Sequence, residues 1–300
     1  MFNRYRRGLF ITAFLAAPVV LYVVYVLAPY AQAFYISTTN WRGVNASPQS
    51  IGLENFQRLF GDDIFWKAVR HNLALLILLP LITIVIALFF SFLLNVGGSK
   101  KGVAGSGFYR VVFFFPQVLA VAVVGVLFAQ VFRPDGSGML NRPLMAVGLG
   151  PFGFLSDTHL AFWSLLGVLV WQAVGFYVVL FSAGLASIPT DLFEAARIDG
   201  AGRVALFFRI TLPLLWDTVQ VAWVYLGILA LDVFAVVWVM TDQHGGPDWS
   251  TTVMAAEIYR TAFQNFRFGY ASAMGVVMFF FTVGFAVLSL RLTRRERIEY

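Results

Sequence analysis

The chain has 300 residues, of which 60% are hydrophobic, 17% aromatic and 12% charged, with a formal net charge of +6. A soluble domain carries about 25% charged residues, so this composition excludes a water-soluble globular protein, and the basic residues are too dispersed for a nucleic-acid patch. No cysteine is present, which removes disulfides, thiol nucleophiles and thiolate metal sites.

Six apolar runs predict six transmembrane helices: 9–30, 73–94, 111–132, 160–188, 218–240 and 268–290. Each has the ~20 residues needed to cross ~30 Å of hydrocarbon. Only the fifth contains a charge, Asp232. The fold class expected is an all-α integral membrane protein, because a lone helix satisfies its own backbone in lipid.

The first run follows Arg4, Arg6 and Arg7, and Ala31-Gln32-Ala33 after it mimics a cleavage site. The run exceeds the 7–15 residues of a secretory signal core, so an uncleaved signal anchor is expected. A loop of about 40 residues leads to the second run, where Pro80 predicts a kink. The short loop 97–107, rich in Gly, Ser and Lys, reads as a flexible connection. Pro116 is expected in the first turns of the third run, where it is tolerated. Pro189 ends the fourth run, and Pro213 closes a polar segment or opens the fifth run.

Orientation follows from the basic residues. With the N-terminus inside, the inner segments hold thirteen: Arg4, Arg6, Arg7, Lys100, Lys101, Arg110, Arg197, Arg203, Arg209, Arg291, Arg294, Arg295 and Arg297. The longer outer segments hold eight: Arg42, Arg58, Lys67, Arg70, Arg133, Arg142, Arg260 and Arg267. Basic residues favour the cytoplasmic side, so both termini are expected there. The chain divides into 1–70 (first helix and outer loop), 71–291 (transmembrane core) and a basic tail, 292–300.

The cytoplasmic segment 189–213 is the most informative. Ala195, Ala196, Ala201 and Ala205 favour helix, and Pro189-Thr190-Asp191 with Glu194 three residues on predicts a capped start. Alanines make a thin helix, Gly200 permits close approach or a chain reversal, and Asp191, Glu194, Arg197, Asp199 and Arg203 supply polar contacts. This is a design for docking a helix into a groove.

Enzymatic chemistry finds no support in the sequence. His71, His159 and His244 lack zinc-ligand spacing, and neither a Walker phosphate loop nor a nucleophile elbow occurs. Inside the spans, Asp232 is the first pathway candidate, with solute contact and structural pairing both open. Trp171, Gln172, Phe176 and Tyr177 form a second set, Gln172 and Phe176 sharing a helix face. Packing alone also accounts for aromatics at this spacing.

Glu194-Ala195-Ala196, Gly200 and Ile210-x-Leu212-Pro213 together resemble the EAA signature of membrane subunits of binding-protein-dependent ABC importers. Ser37-Thr38-Thr39-Asn40-Trp41, Gly52-Leu53-Glu54-Asn55-Phe56, Asn72, Arg133-Pro134-Asp135 with Gly138 and Asn141, Gly245-Gly246-Pro247 and Gly269-Tyr270-Ala271-Ser272-Ala273 extend the resemblance. They are similar to sugar-type permeases related to the larger membrane subunit of the maltose transporter. Lacking that subunit's two extra N-terminal spans and its outer insertion, the chain resembles the compact six-helix permeases for glycerol 3-phosphate, trehalose or lactose.

The resemblance implies a type-1 ABC importer permease (MetI-like) fold and half of a pathway working by alternating access. It implies a sugar or polyol-type solute and a bacterial or archaeal cytoplasmic membrane. Its partners would be two ATPase subunits that hold the ATP and magnesium, a second related permease, and a periplasmic or lipid-anchored solute-binding protein. No cofactor belongs to this chain. The resemblance makes Glu194, Ala195, Ala196, Asp199, Gly200, Arg203 and Pro213 the ATPase-coupling residues. By carry-over it places Gln172, Ala173, Phe176, Leu229 and Val233 on the pathway wall, with Asp232 beside them. A six-helix, ion-coupled secondary transporter is the alternative.

Overall fold

The computed structural model describes residues 2–43, 48–95, 105–241 and 244–292. Most of the expected loop 97–107, Asp242-Gln243 and nearly all of the tail 292–300 therefore lie outside the described residues.

In chain order, α1 (Phe2–Tyr22) passes through a wide turn, Val23–Leu27, into α2 (Ala28–Ser37). The amide of Ala28 bonds the carbonyl of Val23 five residues back, just before Pro29, which has no amide hydrogen to donate. Next come α3 (Glu54–Phe60), α4 (Asp63–Leu94), α5 (Ser106–Val118), α6 (Val121–Val131), α7 (Asn141–Ala146) and α8 (Leu160–Ser187). The polar segment folds as α9 (Thr190–Ile198), α10 (Arg203–Leu206) and α11 (Leu212–Leu214). Then follow α12 (Trp216–Leu231), α13 (Phe234–Met240), α14 (Met254–Tyr259) and α15 (Phe268–Leu292).

Among the described residues, four helices are long and apolar enough to cross a membrane: Phe10–Ser37, Asp63–Leu94, Leu160–Ser187 and Phe268–Arg291. Two bent pairs, Gly107–Val118 with Val121–Val131 and Arg203–Leu214 with Trp216–Leu231, make six if each pair is one span.

The single rods expected at 111–132 and 218–240 are both broken. The halves of the third meet at 96°, with Leu119 and Ala120 extended at ψ 136° and 133°. Pro116 explains the position. Because α5 begins at Ser106, Pro116 lies in its last turn rather than its first, and the amide of Leu119 closes onto the Pro116 carbonyl. The fifth run breaks at Asp232 (φ −114°, ψ 51°) and Val233 before α13 resumes. In contrast, α4 runs unbroken through the buried Pro80, so the kink expected there does not interrupt the helix.

The described residues form two units. The first joins residues 1–62 to 257–280, and the second joins 63–256 to 281–300. In the first unit, Asn55 is buried and donates to the carbonyls of Ser37 and Thr39, both at 2.8 Å. A Cβ on Gly269 would stand 2.0 Å from the Thr39 carbonyl oxygen, so only glycine admits this approach. The Tyr270 hydroxyl donates to Asp62 at 2.7 Å.

The second unit packs α4 against α8 and α12. On α4, Leu75, Leu79, Thr83, Ala87 and Ser91 repeat every fourth residue, and all are fully buried. Facing them are Leu165, Leu169, Val178, Phe181 and Leu185 of α8, and Ala222, Leu226 and Ala230 of α12. In lipid, helix association rests on close packing rather than on exclusion of water, which favours small residues at the contact. Gly175 shows this: a Cβ there would lie 1.7 Å from the Phe113 carbonyl oxygen of α5.

Candidate coupling surface and solute pathway

The candidate coupling segment is anchored from within. Phe193 and Leu206 are buried in the apolar core of the second unit, and Ala196 and Ala201 pack against it. Glu194, Ala195, Asp199, Gly200 and Arg203 are exposed. Beside them, Ile198 is 87% exposed and Val204 72%. One face therefore holds the loop while the other offers a carboxylate, small residues and bare aliphatic surface.

Gly200 ends α9. The amide of Ala201 bonds the carbonyl of Ala196 at 2.9 Å, and that of Gly200 bonds Arg197 at 3.0 Å. This is a Schellman cap, which needs a left-handed residue at the position of Gly200. Its φ is +81°, and an added Cβ would meet nothing within 4 Å. Chain reversal, rather than close approach within the chain, explains this glycine. The expected side-chain cap at the start of α9 is not formed: Pro189 holds the N-cap position with no side-chain bond. Pro189 fixes the entry angle instead. Pro213 sits in the first turn of α11, ahead of the 70° bend that leads to α12.

The pathway candidates separate. Gln172 and Ala173 are buried, and the Gln172 amide reaches the Leu119 carbonyl at the α5–α6 break, a long contact of 3.5 Å. Phe176, one turn further on, is 42% exposed, so the shared face begins inside the subunit and ends at its surface. Val233 is buried, and Leu229 and Asp232 are exposed. The Asp232 carboxylate has no hydrogen-bond or ion-pair partner among the described residues.

Three buried asparagines that the functional reading of the sequence left aside organise the loops. Besides Asn55, Asn72 donates to the Ala230 carbonyl at 3.0 Å and accepts from the Met254 amide at 2.7 Å. Asn141 donates to the carbonyls of Arg133 and Phe152 and accepts from the Phe152 amide. All three lie in segments that carry the resemblance. Ahead of α8, the amides of Leu160 and His159 donate to Asp157 and hold its carboxyl below the usual carboxylate range. Just past the C-terminal end of α4, Asn95 donates to Ser182 at 3.2 Å and accepts from Arg110 at 2.9 Å.

Residues 84–298 match the family described as binding-protein-dependent transport system inner membrane component. The chain belongs to that family. It is 41% identical over 295 residues to a diacetylchitobiose uptake system permease protein of Streptomyces coelicolor, covering 96% of this chain and 83% of that one. It is 33% identical over 292 residues to a multiple sugar-binding transport system permease protein of Streptococcus mutans, covering 95% of each. Among solved structures, a chain of a bacterial ABC transporter that imports the acidic polysaccharide alginate has a TM-score of 0.83 at 21% identity, covering 98% of both chains. That transporter has also been solved with a pentasaccharide-bound periplasmic protein, with a TM-score of 0.85.

Membership in this inner membrane component family makes the chain a transporter subunit, not an enzyme, and an integral protein of the inner membrane. The ion-coupled secondary transporter falls away. The overall fold persists at 21% identity.

Proposed function

We propose that this permease carries a sugar or polyol-type solute as half of an ATP-driven translocation pathway that works by alternating access. The single observation that carries the coupling part is the two-faced segment α9–α10. Phe193 and Leu206 tie it to the transmembrane core, while Glu194, Ala195, Asp199, Gly200 and Arg203 face outward. A rigidly anchored docking helix passes a partner's movement on to the spans. ATP binding favours one state only through differential affinity.

The partners in this reading are two copies of an ABC ATPase, which hold ATP and magnesium, a second related permease, and a periplasmic or lipid-anchored binding protein. Both termini lie in the cytoplasm of a bacterium or archaeon. The sugar assignment is supported by the names of relatives 41% and 33% identical, which belong to diacetylchitobiose and multiple-sugar systems. The pathway wall is assigned to Gln172, Ala173, Phe176, Leu229, Asp232 and Val233. Residues 71–291 form the transmembrane core, with 1–70 and 292–300 as flanks.

The test is reconstitution of the permease pair with the ATPase in liposomes. Uptake of a neutral disaccharide should require the binding protein, be blocked by vanadate and survive collapse of the membrane potential. Uptake driven by a proton or sodium gradient without ATP would refute the reading.

A further inference from the structure

We infer that Tyr225 and Asp232 form a paired recognition element that accepts an uncharged, hydroxyl-rich saccharide and turns away anionic sugars. The inference rests on the reading of this chain as a sugar permease and assigns the charge class of its solute.

Val221, Tyr225, Leu229 and Asp232 are all exposed and follow one another at intervals of four, four and three residues. That spacing keeps Val221, Tyr225 and Leu229 on one stripe of α12, which Asp232 continues as the cap residue after Leu231. Tyr225 is 66% exposed. Seven residues separate it from Asp232, about 10 Å along a helix, roughly the reach of two joined sugar rings. Asp232 stands where the helix stops, with φ −114° and ψ 51°.

Lipid cannot be what this stripe meets. Non-helical backbone at membrane depth is tolerated only inside protein or against a water-filled cavity, and a mid-span carboxylate has the same requirement. The break and the carboxylate coincide at one residue, so this side of α12 faces an aqueous path or another subunit across it.

The charge then sets the selection. α8, α12 and α13 contain no Lys or Arg, and Asp232 has no ion-pair partner among the described residues. Among the described residues, none compensates this negative charge. An ionised carboxylate only accepts hydrogen bonds, and hydroxyl donors on adjacent sugar carbons supply them as charge-assisted bonds. A uronate, sulfonate or phosphate brings a like charge into a poorly screened site and is repelled. The Tyr225 ring offers a flat surface for the C–H face of a neighbouring ring.

The test uses the complete transporter in liposomes, with solute supplied on the cytoplasmic face, from which it reaches the pathway without the binding protein. Maltose, N,N′-diacetylchitobiose and a glucuronyl-glucose disaccharide are compared as inhibitors of binding-protein-stimulated ATP hydrolysis. The neutral disaccharides should inhibit the wild type at about tenfold lower concentration than the uronate. Asp232→Asn should shrink that preference to within about threefold, and Asp232→Glu should keep it. Tyr225→Ala should weaken both neutral inhibitors about tenfold while leaving the preference intact. Equal inhibition of the wild type by neutral and acidic sugars would overturn the inference, as would neutral sugars without effect or an unchanged preference in Asp232→Asn. A cation supplied by the second permease would produce the first of these results. Absence of any binding-protein-stimulated hydrolysis would instead count against the proposed function.

Discussion

The side-chain amide of Asn72 donates to the carbonyl oxygen of Ala230 at 3.0 Å, two residues before the fifth span breaks at Asp232. In a continuous helix that carbonyl would accept from the amide of residue 234. The break removes this partner, and Asn72, fully buried on α4, takes its place. The same side chain accepts from the Met254 amide at 2.7 Å, so one residue ties α4, the break and the start of α14 together.

Asn72→Ala should therefore destabilise the permease through two groups at once. Each buried group left unpaired costs about 1–3 kcal/mol, so a fall of several degrees in the melting temperature of the detergent-solubilised protein is expected. Asn72→Asp keeps an acceptor for Met254 but has no donor for Ala230, and uptake should fall even where the protein accumulates. Wild-type melting and uptake in Asn72→Ala would show that the break holds itself.

Gly175→Ala tests the contact between α8 and α5. The added Cβ would stand 1.7 Å from the Phe113 carbonyl oxygen and 2.9 Å from the Phe114 amide nitrogen. Both are backbone atoms, so a rotamer change cannot relieve the clash and the helices must separate. Overpacking of this kind costs about 1–3 kcal/mol, and larger residues should do more. Gly167→Ala is the control, because nothing lies within 4 Å of its added Cβ. Equal melting temperatures for the two variants would refute the contact.

The apolar spans and the helical form of α9 with its reversal at Gly200 were legible in the sequence because they depend on local properties: apolar length, alanine content, and a glycine where a helix must reverse. The breaks at Leu119–Ala120 and Asp232–Val233 were not. A backbone can leave the helix in an apolar run when another element takes over its hydrogen bonds, and Asn72 lies 158 residues from Ala230 in sequence. Pro116 was a visible signal for the first break. It was misplaced because α5 begins five residues before the apolar run, within a segment that holds Arg110. Nothing local marks the second break except Asp232 itself. Tyr225 was missed for a related reason: an exposed tyrosine on an apolar helix reads as interface or packing until Asp232 fixes the stripe.

The orientation of the chain can be mapped directly, since no native cysteine interferes. Met139 lies in the segment between the third and fourth spans and is 73% exposed, and Arg291 is exposed at the end of the last span. With both termini inside, Met139→Cys should react with a membrane-impermeant maleimide in intact cells, and Arg291→Cys only after permeabilisation. The opposite pattern would reverse the topology assigned from thirteen inner and eight outer basic residues.

The coupling role proposed for α9 can be separated from its folding, because Glu194 and Gly200 sit differently. Glu194 is exposed, so Glu194→Lys leaves the packing of Phe193 untouched and reverses a charge on the outward face. Normal amounts of permease are expected, with ATPase retention weakened about tenfold or more and stimulated hydrolysis lost with uptake. Gly200 has a structural duty as well, since its φ of +81° closes the cap of α9. A non-glycine residue there costs about 1–2 kcal/mol, least for Asn. Gly200→Asn keeps the reversal and adds a side chain to open space. If the ATPase cleft approaches this corner closely, Gly200→Asn should accumulate normally yet fail to hold the ATPase, and Gly200→Asp should fail further by adding charge. Retention of the ATPase by Gly200→Asn alone would limit the glycine to turning the chain. Retention and stimulated hydrolysis in Glu194→Lys as well would remove this face from the coupling surface.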